Sequence, residues 1–164
     1  MKDIKKEKYY SGIFKKITSE LKYDLNRKYG IEIISGKWLD SVVIKLFKKK
    51  WMDKTTGSSI FFSVWIEDKC LNRNKIYYNI HALKLRQLKG YKIESIKFAG
   101  DFRKMFNEYV YLWQNVSMSF GPGTLLQGNI SLNEKTIEKD ISELIFRFLK
   151  IEFIIDEVLE KWKK

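Results

Sequence analysis

Ile60-Phe61-Phe62-Ser63-Val64-Trp65-Ile66 is the stretch on which the fold turns. Six of its seven residues are β-branched or aromatic, types that pack well on a pleated sheet and lose rotamer freedom in a helix. Thr55-Thr56-Gly57-Ser58 before it has the composition of a hairpin turn, and Asp68 to Asn74 after it reads as a polar turn. A strand between two tight turns predicts antiparallel neighbours. Downstream, Ile76, Tyr78, Ile80 and Ala82 alternate with Tyr77, Asn79, His81 and Leu83, one set for each face of a strand. Upstream, Ile31 to Ile34 reads as a short strand. Trp38 to Trp51 carries both a strand alternation and a helical stripe, and the β-branched run Val42-Val43-Ile44 favours strand.

Helical spacing takes over toward both ends. Tyr10, Ile13, Phe14, Ile17, Leu21 and Leu25 form one stripe, and Gly30 stands where a helix commonly stops, so a first helix ends near Tyr29. A last helix carries Ile137, Ile141, Leu144, Ile145, Phe148, Ile155, Val158, Leu159 and Trp162 on one face. Ser131 with Glu134, or Asn133 alone, would cap its start. Phe146, Leu149, Phe153 and Ile154 widen that face, which implies either deep cover or pairing with a second copy. Between the strands and this helix, Gly90 turns the chain into a strand at Tyr91 to Ser95. Phe98, Phe102, Met105 or Phe106, and Tyr109 mark a short helix. Val110 to Phe120 and Leu125 to Leu132 read as a hairpin across Gly121-Pro122-Gly123. With no alternating βαβ order, the whole chain, residues 1–164, reads as one α+β domain, with an antiparallel sheet of about six or seven strands against long N-terminal and C-terminal helices.

Composition narrows the class. The chain is 45% hydrophobic and 32% charged, a balance that folds. A single cysteine, Cys70, excludes an internal disulfide, and the charged first residues lack the apolar core of a signal peptide, so the expected compartment is the cytoplasm. The longest uncharged run, Tyr109 to Asn133, is broken by Gly121, Pro122 and Gly123 and rich in amides and hydroxyls, which no bilayer span tolerates.

The formal charge is +12, carried by 27 lysines and only five arginines. Such a field attracts polyanions, but arginine supplies the bidentate contacts that specific nucleic-acid recognition favours. The charge is also uneven: Met105 to Glu134 holds no lysine or arginine. Burial in the domain's own core would exclude cations from this segment, as would a ligand cleft or subunit interface.

Catalytic motifs are sparse. His81 is the sole histidine and has no acidic neighbour in sequence, which suits a hydrogen-bonded structural ring. Cys70 sits beside Lys69, whose charge would lower the thiol pKa, although a bystander thiol is the simpler reading. No zinc spacing, Walker loop or dinucleotide fingerprint occurs, so no cofactor is predicted. Glu67-Asp68-Lys69 after an apolar strand resembles the acidic-x-lysine half of the PD-(D/E)xK nuclease family, with Asp40 as the upstream carboxylate. The resemblance implies Mg²⁺-dependent cleavage, with Asp40 and Glu67 holding the metal and Lys69 positioning water. A nucleic-acid surface would then include Lys48, Lys49 and Lys50 beside Trp51, with Lys84 and Arg86 nearby. Lysines on exposed sheet faces equally serve to prevent edge-to-edge aggregation.

The leading expectation is a noncatalytic binding or interaction domain that uses the lysine-free segment, with Tyr111, Trp113, Asn115 and Gln127 as contact residues. Homodimerisation would run through that segment or the last helix. The alternative is nucleic-acid binding, with or without the metal site.

Overall fold

Asp3 opens the first helix by accepting hydrogen bonds from the backbone N–H groups of Lys5 and Lys6, and Gly30, at φ +65°, closes it. The computed structural model, which describes all residues Met1–Lys164, gives this helix, α1, the span Ile4–Tyr29. Six strands follow: β1 (Glu32–Trp38), β2 (Ser41–Phe47), β3 (Met52–Asp53), β4 (Ser58–Ile66), β5 (Lys75–Leu83) and β6 (Thr124–Ser131). They form one antiparallel sheet in the order β1-β2-β4-β5-β6, with β3 also on β4. Helices α2 (Asp68–Asn72), α3 (Ser95–Phe106) and α4 (Ile137–Lys161) complete the α+β fold. No helix is long and apolar enough to cross a membrane.

The ambiguous segment resolves as strand over Ser41–Phe47, yet the expected single strand from Trp38 to Trp51 is not what forms. Trp38 ends β1, Leu39 and Asp40 make a two-residue turn, and Lys49–Trp51 wind into a 3-10 turn. β2 and β3 are two pieces of one line along β4, since Leu46 pairs with Phe62 and Met52 with Ser59. The interruption drops the Trp51 ring into the core, where it is fully buried. Asp68 to Asn74, expected as a turn, holds the short helix α2.

Three other expectations fail for tertiary reasons. Tyr91 to Ser95 is no strand; only Tyr91 bridges, to Lys163 beyond α4. Val110 to Phe120 is not one arm of a regular hairpin: a 3-10 turn covers Val110–Leu112, and a single bridge joins Ser117 to Gln127. Here the chain must deliver the Trp113 ring to the core against Phe62, Tyr78 and Phe106, and an extended strand does not do so. The capping box at α4 is absent as well. The Glu134 carboxylate accepts from the Tyr10 hydroxyl of α1 instead, and Asn133 Oδ1 accepts from the Lys135 N–H in the turn before the helix.

Packing follows the predicted stripes. Phe148 of α4 stacks on Phe62 of β4, centroids 4.6 Å apart and planes within 6°, and both are fully buried. α1 and α3 both pack on α4, and 41 buried residues from helices and sheet make one continuous cluster. Ile154 is buried and Leu149 and Phe153 pack on the cluster, so the breadth of α4's apolar face is used within one chain. Only Phe146 stands half-exposed.

Burial explains the missing lysines over β6, but Glu108 to Tyr111 and Gln114 to Gly121 are largely surface. Arg103 reaches into this segment from α3. Its guanidinium donates to four backbone carbonyls, Phe120, Gly121, Thr124 and Leu125, at 2.9–3.1 Å. Those converging carbonyls need one planar, multidonor cation, which arginine supplies and lysine does not. Arg103→Lys is therefore expected to lower stability by about 1–3 kcal/mol, the range for hydrogen bonds to a charged group. Urea unfolding measures it, and an unchanged midpoint would show that the clamp contributes nothing.

Candidate functional site

The residues singled out from sequence lie in three places. Asp40 is exposed in the β1–β2 turn, and its backbone carbonyl accepts from the Met1 ammonium at 3.0 Å. Glu67 ends β4 and accepts from the Ser41 hydroxyl at 3.2 Å, while Lys69 points to solvent from α2. These acids join no group of three His, Cys, Asp or Glu residues able to hold a metal ion. Cys70, next to Lys69, is buried, and burial pushes its thiol up to about 11, away from an activated thiolate.

Of the lysine triplet, Lys48 is engaged inside the fold, while Lys49 and Lys50 are exposed. Lys48 reaches Glu152 at 2.6 Å and Asp156 at 2.5 Å, Lys50 reaches Asp156 at 3.1 Å, and Trp51 Nε1 donates to Asp156 at 2.8 Å. The 3-10 turn that looked like a cationic surface is a clasp onto α4. Lys49 lies 3.8 Å from Glu32. Lys84 and Arg86 are exposed at the far end of β5, where Lys84 adopts φ +52° and approaches Gly57.

Of the four predicted contact residues, Trp113 belongs to the core and Tyr111 is 79% exposed. Asn115, at φ +50°, lies 3.4 Å from Asn129. Gln127 is the cross-strand partner of Asn79. That pairing leads to a site that sequence alone did not assemble.

All three long helices cover one face of the sheet, and its other face is open. The alternation predicted for β5 puts Tyr78 and Ile80 toward the helices and Tyr77, Asn79 and His81 on the open side. The paired strands extend this set: Val43 pairs with Trp65, Lys45 with Ser63, Phe61 with His81, and Ser63 with Asn79. A groove of about 250 Å³ lies over these residues, closed at one end by Trp38, Leu39 and Ser41. Gly36 makes part of it possible: a Cβ there would meet the Trp38 ring at 3.2 Å, so the indole lies back over its own strand. Lys45 Nζ sits 4.1 Å from the Trp38 ring centroid and 4.7 Å from that of Phe61, while Trp65 and Tyr77 stack at 5.7 Å beyond them.

A polar chain runs along the floor. We assign Ser63 O–H as donor to Asn79 Oδ1, and Asn79 N–H as donor to His81 Nε2 at 2.9 Å. This leaves the imidazole proton on Nδ1, which is buried and makes no hydrogen bond of good geometry. Burial lowers the His81 pKa; the Gly123 carbonyl opposes that and the Lys45 charge adds to it, so the ring is neutral at pH 7. The Ser63 hydroxyl faces an amide oxygen, which orients a proton without removing it.

The Lys48–Asp156 clasp carries a pH dependence. Burial works against the Asp156 charge, but hydrogen bonds from Lys48, Trp51 and Lys50 outweigh it and hold the carboxyl below its ordinary value. A depressed folded pKa gives stability that is complete at neutral pH and is lost as pH falls from roughly 4 through the folded value. Asp156→Asn is expected to destabilise the protein by about 2–4 kcal/mol at pH 7, because it leaves a half-buried lysine pair short of a counter-charge. The difference from wild type should shrink below pH 4 in parallel chemical denaturation curves; an equal loss at pH 3 and pH 7 would contradict it.

Comparison of the chain with protein-family models, with curated proteins and with solved structures returns no match.

Proposed function

We propose that this chain is a noncatalytic binding domain whose contact surface is the open sheet face, at the groove between Trp38 and His81. The observation that carries the reading is the company kept by Ser63 and Asn79. Both are buried on the uncovered side of a sheet, 3% and 2% exposed, beneath aromatic side chains rather than beneath a helix. Apolar walls with a few fixed polar groups are what small-ligand sites are made of, and this volume suits a group of one or two rings. The site borders the lysine-free segment through Gln127, whose backbone pairs with Ser117.

Leu39 supports the same reading. It is completely exposed at the groove's end and adopts φ +55°, a conformation disfavoured for a residue with a Cβ. The two-residue hairpin turn accounts for the positive φ, and the exposed side chain lies at the groove's rim where a bound apolar group would meet it.

Two outcomes test the proposal. In a fragment screen of flat aromatic compounds by two-dimensional amide NMR, binders should shift Val43, Lys45, Ser63, Asn79 and His81 together. Trp38→Ala should weaken them by about 1–3 kcal/mol, the scale of one stacking contact. Shifts confined to other surfaces would overturn the assignment. Leu39→Gly should raise stability by about 0.5 kcal/mol through relief of the backbone and weaken the same binders; a gain in both would remove Leu39 from the site.

A further inference from the structure

We infer that the groove's ligand is a small organic anion, a flat apolar body bearing a carboxylate or similar group, which pairs with Lys45. The inference rests on the binding reading above and names the ligand's charge. Lys45 is half-buried, and no carboxylate appears among the ten residues that line the groove. Its ammonium has three N–H donors, and its only near partners are the faces of Trp38 and Phe61. No hydrogen bond or ion pair of the protein satisfies them.

Lys75, also half-buried, likewise makes no ion pair but does not line this groove, whereas Lys48 behaves differently. Lys48 is held by Glu152 and Asp156, as a partly desolvated ammonium ordinarily is. Lys45 has neither, and burial alone lowers its pKa. The chain thus keeps an uncompensated cation over two aromatic rings on an open face. The nearest acidic side chain on this face, Glu67, is tied to Ser41 at the rim. Nζ is still open to solvent, so an entering carboxylate would take the place of water and add an opposite charge. Its ring would rest against Trp65 and Phe61, with Asn79 and His81 beneath.

A neutral or cationic ring would gain the stacking without the pairing, so charge selectivity is the signature. The test uses three probes of one shape: 2-naphthoate, 2-naphthamide and 2-naphthylmethylammonium, titrated into wild type, Lys45→Met and Lys45→Arg. In wild type, naphthoate should bind at least tenfold more tightly than the amide, and the ammonium most weakly. Lys45→Met, close to lysine in shape, should erase the difference, and Lys45→Arg should retain it. Equal binding of naphthoate and naphthamide to wild type overturns the anion assignment and leaves the groove standing. So does a preference that persists in Lys45→Met. Failure of all three probes to bind sinks the groove reading itself. A single-stranded oligonucleotide that shifts the same residues and binds more tightly than naphthoate at 150 mM salt replaces the small anion by a nucleic-acid strand.

Discussion

The stack of Phe148 on Phe62 is the contact from which the rest of the arrangement follows. Phe62 lies in β4, the central strand of the sheet, and Phe148 lies near the middle of α4. Around the pair stand Trp51, Tyr78 and Trp113, each brought by a different part of the chain. Aromatic rings bury large apolar areas and prefer defined mutual geometries, so a cluster of five fixes positions as well as adding stability. Trp51 requires the break between β2 and β3, and Trp113 requires the irregular path after α3. The two segments that departed most from simple patterning are those that feed this cluster.

Gathering every helix on one face has a cost on the other. The open side of β2, β4 and β5 carries Val43, Phe61 and Trp65, apolar groups with no helix to cover them. The chain covers them locally, folding the Trp38 ring back over Gly36 and laying the Lys45 stem across Phe61. The cover is incomplete, and the groove is what it leaves. A polar chain from Ser63 to His81 lies under that cover, hydrogen-bonded along its length except at His81 Nδ1. The groove is therefore a built feature of the sheet and not a gap between elements.

The basic charge divides into parts with different physical meaning. Lys48 and Lys50 join an internal network with α4, and Lys16 and Lys37 pair with Glu138 and Glu7. Arg103 clamps four backbone carbonyls of the segment that carries no cation of its own. Lys45 is a partly buried cation set over two aromatic rings with no anion beside it. Net charge alone did not distinguish these roles, because a lysine's contribution depends on what the fold places within a few ångströms of it.

By itself the sequence determined the α+β class, the antiparallel order, the two terminal helices and the two faces of β5. Each of these rests on periodicity over seven or more residues, a signal that neighbouring elements reinforce. It also marked Met105 to Glu134 as unusual, and burial accounts for the missing cations only over β6. The groove was legible only in fragments: His81 as a structural ring, Gln127 as a contact residue, Gly36 and Lys45 not at all. Its members come from four strands, and no spacing along the chain says that residue 45 lies over residue 61 or that residue 63 bonds residue 79. Register and the choice of which face the helices cover decide that, and both are settled by long-range packing of side chains such as Phe62, Trp113 and Phe148.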